Sequence, residues 1–387
     1  MTENDSAGSR KAVFVLGMHR SGTSATAGVL HYAGIDFGNR LLPGRADNPK
    51  GFFEHEEIWE IHETLLNDLG SCWDDIRPLP AGWLESEAAH KASARLEDIV
   101  DREFSGMQIW GLKDPRLSRL FPLWLPILKK RTIAPLVVLA LRHPLEVAQS
   151  LHRRDKIGLS HALAVWLRYT LDAERSSREF PRVVQYYPRL INDWRAELER
   201  LSRALELKIP ELPAASQIRI DSFIDKDLRH EKSYQQIADY GISDNLSDWC
   251  LSVYKHVNNL DESTTSQSLN DAYRSISNFE RTLVHYSEFS GVYVKLKLEY
   301  EKTIEWFKDN RESQNSEIKR LNALNQEISK KKNYEIIRLR REIEHANADI
   351  RNLDADIRNR DRTIRELYNS TSWKITAPLR IVKKLFS

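Results

Sequence analysis

The chain has 387 residues, 29% of them charged and 41% hydrophobic, with a mean hydropathy of −0.54, so it can bury a sizeable core and is not disordered throughout. Its 58 Lys and Arg against 56 Asp and Glu give a formal charge of +2, which supplies no whole-chain argument for a nucleic-acid partner. Two cysteines, Cys72 and Cys250, exclude a disulfide framework and a four-cysteine zinc site and fit a reducing compartment.

In chain order, residues 12–16 form a short apolar run ending at Gly17, and Ser21 to Ser24 precede a helical pattern through Leu30 that closes near Gly34, which reads as strand, loop, helix. Further apolar runs at 109–112, 133–141 and 182–187 adjoin amphipathic stretches, and the uninterrupted Pro135 to Leu141 has the pattern of a strand buried on both faces. This alternation predicts an α/β class, a three-layer domain with a central parallel sheet over residues 1–294, in which the Ser/Asn/Asp-rich stretch from about 214 onward is a covering layer.

From 295 to 368 Gly and Cys vanish and charges dominate. Ile336, Leu339, Ile343, Ala346, Ile350, Leu353, Ile357, Arg360, Ile364 and Leu367 follow a heptad seam, with Ile at every a position and Leu the commonest d residue. An earlier piece, Ile318, Leu321 and Ile328, is offset by a four-residue stutter. The expectation is a long C-terminal α-helical coiled coil that makes a homodimer; the alternative is a solvated helix folded back on the domain. Residues 369–387 form a third region, where Trp373, Ile375, Leu379, Val382, Leu385 and Phe386 alternate with Lys374, Arg380, Lys383 and Lys384 and acids are absent. Such a basic amphipathic end suits peripheral contact with an anionic membrane surface, or packs as a hydrophobic cap. The polar start shows no signal peptide, and the longest apolar run, Ile133 to Leu141, is too short to span a bilayer, so the expected location is cytoplasmic.

Gly17-Met-His19-Arg20-Ser21-Gly22-Thr23-Ser24 has the P-loop framework of two glycines separated by four residues with a hydroxyl residue opening the helix. Backbone N–H groups of such a turn and the helix N-terminus form an anion cradle. Thr23 stands where a nucleotidase carries its Lys, and Arg20 supplies a cation inside the loop.

Val15 to Ser24 resembles the 5′-phosphosulfate loop of sulfotransferases that use 3′-phosphoadenosine-5′-phosphosulfate (PAPS), in particular the bacterial carbohydrate-type and tyrosylprotein branches. Leu141-Arg142-His-Pro-Leu-Glu-Val-Ala-Gln-Ser150 resembles that family's 3′-phosphate grip, an Arg at a strand end and a Ser eight residues on. The resemblance covers roughly residues 12–230 and implies a P-loop-type fold with PAPS as co-substrate and no metal. It implies that Gly17, His19, Arg20, Ser21, Gly22, Thr23 and Ser24 hold the 5′ end and that Arg142 and Ser150 hold the 3′-phosphate. Tyr187 resembles the family's nucleotide-binding Tyr, although Tyr186 alternates with it, and Arg229 is a candidate cover for the 3′-phosphate. Asn48-Pro-Lys-Gly-Phe-Phe-Glu54-His55 resembles the stretch that carries the catalytic Glu; Glu54 is the expected general base, with His55 the alternative. Gly111-Leu-Lys113-Asp114-Pro115-Arg116 resembles the segment whose Lys contacts the transferring group, so Lys113 is the expected charge stabiliser, while Asp114 and Arg116 pair to fix the turn. His31 and His62, like His55 if it is not the base, are expected at the surface.

The implied reaction is sulfuryl transfer to a hydroxyl of a glycan or glycolipid acceptor. Residues 369–380 resemble a tail found after coiled coils in bacterial surface-polysaccharide glycosyltransferases, the basis for expecting carbohydrate. Two other readings remain: a P-loop kinase using ATP or GTP with Mg²⁺, and a non-catalytic anion-binding scaffold assembled by the coil.

Overall fold

The computed structural model describes residues 10–45, 48–224, 242, 244–258, 260 and 315–369. The chain divides into two compact units, Met1–Glu301 and Lys302–Ser387.

The first unit is built on a four-stranded sheet of order β2-β1-β3-β4 with every pairing parallel: β1 Arg10–Leu16, β2 Ile109–Lys113, β3 Ile133–Leu141 and β4 Arg182–Tyr186. These are the four apolar runs of the sequence, hydrophobic on successive residues because both faces of the sheet are covered. Toward one face, Val13, Val15, Leu136, Val138, Ala140 and Val183 pack with α1 (Thr23–Tyr32), α8 (Trp194–Ala204) and α9 (Ala214–Phe223). Toward the other, Phe14, Leu16, Leu112, Val137, Leu139 and Val184 pack with α2 (Glu56–Asp68), α3 (Glu87–Ile99), α4 (Leu117–Lys130), α5 (Pro144–Asp155), α6 (Leu159–Ser176) and α10 (Asp244–Asn258). A further helix, α7 (Tyr187–Asn192), follows β4 directly. Residues 214–223 and 244–258 are thus helices packed over the two faces, as expected for the covering stretch.

Local chemistry sets the helix starts near the cleft. Pro144 occupies the first turn of α5, where its missing N–H costs nothing. The Asp193 carboxylate caps α8 by accepting from the N–H groups of Arg195 and Ala196, both at 3.1 Å.

Register brings the strand ends to one edge: Val15 lies beside Lys113, Leu16 beside Leu139, and Leu141 beside Tyr186. The chain leaves β1 toward β2 on one side and returns as β3 on the other. The carboxyl ends of β1 and β3 therefore flank a topological switch point, where open α/β sheets form a ligand crevice.

Among the described residues the second unit contains one helix, Asn315–Asn369. Along it Ile328, Ile336, Leu339 and Ile343 are partly exposed, and Leu324, Tyr334 and Ile337 are exposed. Among the described residues no helix is long and apolar enough to cross a membrane. The basic segment expected from 369 onward lies, beyond Asn369, outside the described residues.

Candidate active site

A cleft of about 940 Å³ opens at the carboxyl edge of the sheet. Its floor is the loop between β1 and α1. Gly17 and Gly22 have φ of +147° and +92°, and each is also closed to a side chain: a Cβ on Gly17 would lie 2.5 Å from the Ala140 carbonyl oxygen, and one on Gly22 would lie 2.3 Å from the Tyr187 ring. The Gly17 N–H donates to Ser118 Oγ at 2.9 Å, which ties the loop to α4. Arg20 has φ of +68°, a left-handed conformation that costs a non-glycine residue about 1–2 kcal/mol. Phe53, beside Glu54, has φ of +56°. Both strained residues flank the cleft chemistry.

The two strings that resemble a family's phosphate grips meet in this cleft. Arg20 Nε donates to Ser150 Oγ at 2.9 Å, and Arg142 Nη1 donates to the Arg20 carbonyl at 3.3 Å. Arg142 also donates from Nε to Glu146 Oε2 at 2.8 Å, and its guanidinium carbon lies 4.7 Å from the centroid of the Tyr187 ring. Tyr187 is thus the cleft residue of the tyrosine pair. Tyr186 is instead bonded to α10, its hydroxyl oxygen accepting from Tyr254 at 2.5 Å.

The β2 side carries the second group of residues. Lys113 donates to Glu54 Oε1 and to Ser24 Oγ, the latter at 3.1 Å. Lys113 and Glu54 are 2% and 5% exposed, so this is a buried ion pair on the wall of an otherwise open cleft. Ser24 Oγ also accepts from Asn48 Nδ2 at 3.3 Å, and Asn48 Nδ2 donates to the Gly51 carbonyl at 2.6 Å, which folds the 48–51 turn back on the loop. Asp114 holds Arg116 as the sequence led us to expect, accepting from its N–H and from Nη1, both at 2.9 Å. Arg116 Nε donates to Glu63 of α2.

Three histidines differ from expectation. His62 is fully buried: Trp124 Nε1 donates to its Nε2 at 3.1 Å, so the ring proton sits on Nδ1 and is donated to Asp114 Oδ2 at 2.7 Å. His55 does not line the cleft; its Nε2 is 2.9 Å from Glu103 Oε2 with the side chain fully buried, which places the alternative base away from Lys113. His31 is partly buried against Tyr32, Phe37 and Phe53. The sequence missed the burial of His55 and His62 because the carboxylates that receive them lie some 50 residues away. Gly17 and Ser21 shape the loop without lining the cleft, whereas His19, Arg20, Gly22, Thr23 and Ser24 line it, and Arg229 lies outside the described residues.

Electrostatics separate these groups. Burial works against the charge on Asp114, but Arg116 and His62 outweigh it and hold the carboxyl far below the usual carboxylate range. Burial likewise opposes the charge on Arg116, and Asp114 and Glu63 overcome it, moving its pKa up. His19 is pushed well below the usual histidine value by burial, reinforced by the positive charges of Arg116, Arg154 and Lys113. Its Nε2 is buried and has no hydrogen-bond partner among the described residues.

Sequence reasoning did not single out the loop Ser71–Arg77, which brings Trp73 into the cleft against His19, with ring centroids 5.0 Å apart, and under Arg154 at 5.6 Å. Its shape is held through main-chain carbonyls. Tyr169 OH donates to the Trp73 carbonyl at 2.6 Å, Arg168 Nε to that of Ile76 at 3.0 Å, and Arg119 to those of Asp75 and Arg77 at 3.1 and 2.6 Å. His161 Nε2 lies 2.8 Å from the Asp74 carbonyl. No local pattern announces such a loop, because its anchors sit on α4 and α6.

No family model matches the chain, and no curated protein matches it. Among solved structures it is similar to the sulfotransferase domain of the olefin synthase of Synechococcus PCC 7002, with 15% identity and TM-score 0.35 over 72% of this chain and 97% of that one. It is similar to sulfotransferase STF1 of Mycobacterium tuberculosis H37Rv, with 17% identity and TM-score 0.39 over 64% and 77%. A sulfotransferase domain from the curacin biosynthetic pathway aligns with 14% identity and TM-score 0.30 over 68% and 97%.

Proposed function

We propose that the chain transfers a sulfuryl group from PAPS to a hydroxyl of a glycan or glycolipid acceptor. The observation that carries this reading is the convergence of Arg20, Ser150, Arg142 and Tyr187, from strings more than 100 residues apart, in the same cleft as the Lys113–Glu54 pair. The site fits the co-substrate by its own chemistry. A side chain on Gly17 or Gly22 would clash with the surrounding structure, the orphaned His19 Nε2 belongs to a cleft-lining residue, and Thr23 removes the cation that nucleotidases place on a γ-phosphate.

PAPS, when bound, supplies an activated sulfuryl group. Arg20 and the loop N–H groups hold its 5′ end, Arg142 and Ser150 hold the 3′-phosphate, and Tyr187 packs against the nucleotide. Lys113 neutralises the charge that develops as the sulfuryl group moves, and Glu54 takes the acceptor's hydroxyl proton. Ser24, accepting from both Lys113 and Asn48, fixes the ammonium in place.

Calorimetric titration with 3′,5′-ADP, alongside ATP with and without Mg²⁺, tests the reading. Binding of 3′,5′-ADP that is weakened in Arg142→Ala is the expected result; binding of Mg-ATP alone replaces it with a kinase. On the same reading the C-terminal helix pairs with a second copy through its Ile/Leu seam, and the basic end from 369 onward rests on an anionic membrane surface. Ile336→Asp with Ile343→Asp gives a monomer by light scattering if the seam is the interface.

A further inference from the structure

Two tryptophans, Trp59 and Trp73, line the cleft, and both are only partly buried. Trp110, Trp124 and Trp166, by contrast, are fully buried in the core. A single exposed apolar side chain on a convex surface needs no explanation. Indoles on the wall of a concave site are different, because they present broad flat apolar faces to whatever enters it.

Each indole stands on a fixed support. Trp59 projects from α2, whose Ile58, Ile61 and Leu65 are buried, and its ring centroid lies 5.7 Å from the Arg116 guanidinium carbon. That guanidinium is itself held, at Nη1 by Asp114 and at Nε by Glu63. Trp73 contacts the His19 ring at 5.0 Å and the Arg154 guanidinium at 5.6 Å, and its carbonyl accepts from Tyr169 OH at 2.6 Å. Little ordering of these side chains remains to be done when a ligand arrives, which favours binding.

The indoles also stand apart from the stretch of cleft that suits a nucleotide base. Trp59 lies beside the segment that follows β2, and Trp73 beside the loop that follows β1, whereas Tyr187 follows β4 at the far side of the sheet. Trp73 packs with the core on the face that carries α2 to α6. Ala25, Phe223 and Ile224 line the cleft from the opposite face. With the base beside Tyr187, the indole wall is left for the acceptor.

The wall also carries polar groups. Lys113, Arg116 and His19 share it with the indoles, and Arg116 Nη2 makes no hydrogen bond among the described residues. A phenol calls for a closed apolar slot, and a lipid chain for an unbroken apolar groove. A pyranose ring fits flat apolar faces edged by donors, with its C–H face on an indole and its rim of hydroxyls on the donors.

We propose that Trp59 and Trp73 form the acceptor subsite and take a saccharide, stacked on indole, with its reacting hydroxyl turned to Glu54. The inference rests on the sulfotransferase reading and deepens it.

The test uses the full-length protein. A printed glycan array, read with and without 3′,5′-ADP, supplies a saccharide probe, and transfer from PAPS to that probe is then measured. Trp59→Ala and Trp73→Ala are each expected to raise the KM for the saccharide on the order of tenfold, the scale of losing an aromatic anchor, and to leave the Kd of 3′,5′-ADP unchanged. Trp73→Phe keeps a flat ring and should restore most of the loss, which a merely structural lesion would not show. If an alanine variant does not fold, the wild type still reports: bound saccharide should shield its partly exposed indoles from acrylamide quenching. Capture of no glycan, an unchanged KM in both alanine variants, or an absence of shielding overturns the proposal. Weaker 3′,5′-ADP binding in Trp73→Ala with the saccharide KM unmoved assigns that indole to the nucleotide and overturns it as well. Sulfation of 4-nitrophenol in preference to every captured glycan overturns the saccharide in favour of a phenol. Failure of the wild type to bind 3′,5′-ADP overturns the sulfotransferase reading beneath, and the array read without nucleotide shows separately whether the indoles hold a saccharide.

Discussion

The two ends of the cleft solve different problems with the same residue types. At the β3 end Arg142 bonds Glu146 and the Arg20 carbonyl and lies over the Tyr187 ring, and Arg20 bonds the Ser150 hydroxyl, contacts that orient the two guanidinium groups. At the β2 end Lys113 and Arg116 are each locked to carboxylates in a nearly dry environment. On the proposed function the first pair grips the permanent anions of the co-substrate, and the second, already paired with carboxylates, is pre-organised for charge that appears during transfer and adds little to ground-state binding.

Substitutions can break this contrast, and the largest effect is expected at the compensated end. Asp114→Asn strips the buried counter-charge of Arg116 and alters the group that accepts from His62, and it should cost roughly 3–5 kcal/mol in urea unfolding. A loss below about 1 kcal/mol, the range of exposed pairs, would mean that the β2 end is not tightly balanced. Lys113→Ala should lower single-turnover transfer on the order of 10²–10³-fold while 3′,5′-ADP binds nearly as before; a matching loss of binding would make Lys113 a ground-state ligand like Arg142. Arg142→Ala should weaken 3′,5′-ADP by about 1.5–3 kcal/mol in calorimetry, the range for a hydrogen bond to a charged group.

The smallest effect is sharpened by pH. The pKa of His19 is depressed in the fold, so below an unfolded value of about 6.5 the unfolded chain takes up a proton that the native loop refuses. The stability His19 contributes is therefore complete above that pH and is lost as pH falls toward the depressed native value. Melting temperatures measured downward from pH 7.5 should fall less steeply in His19→Asn than in the wild type.

The sheet was legible because each strand is buried on both faces and so writes itself as an unbroken apolar run. The turn between β1 and α1 was legible because its glycines set the backbone locally and its hydroxyl residues open the helix, which keeps the signal within a few residues. Glu54 and Lys113 were legible only through strings that resemble a family's, and the geometry adds that they bond to one another. Arg116 was read as a turn residue: its pairing with Asp114 is local and visible, but its place beside Trp59 and Glu63 depends on how α2 lies against the end of β2. The choice between Tyr186 and Tyr187 could not be made from alternation alone, because β4 ends at Tyr186 and Tyr187 already belongs to a helix.

The Ser71–Arg77 loop is gripped by its carbonyl oxygens, a feature that every amino acid possesses. Tyr169 bonds the oxygen of residue 73 whatever side chain that residue carries, and Arg119 and Arg168 treat positions 75, 76 and 77 alike. The backbone path is therefore insulated from the identity of the side chain it displays. Position 73 becomes an exchangeable tip on a fixed mount: Trp73 can be replaced by smaller, polar or charged residues with little disturbance to the loop, and that stretch of the cleft wall can be re-cut without rebuilding the backbone beneath it.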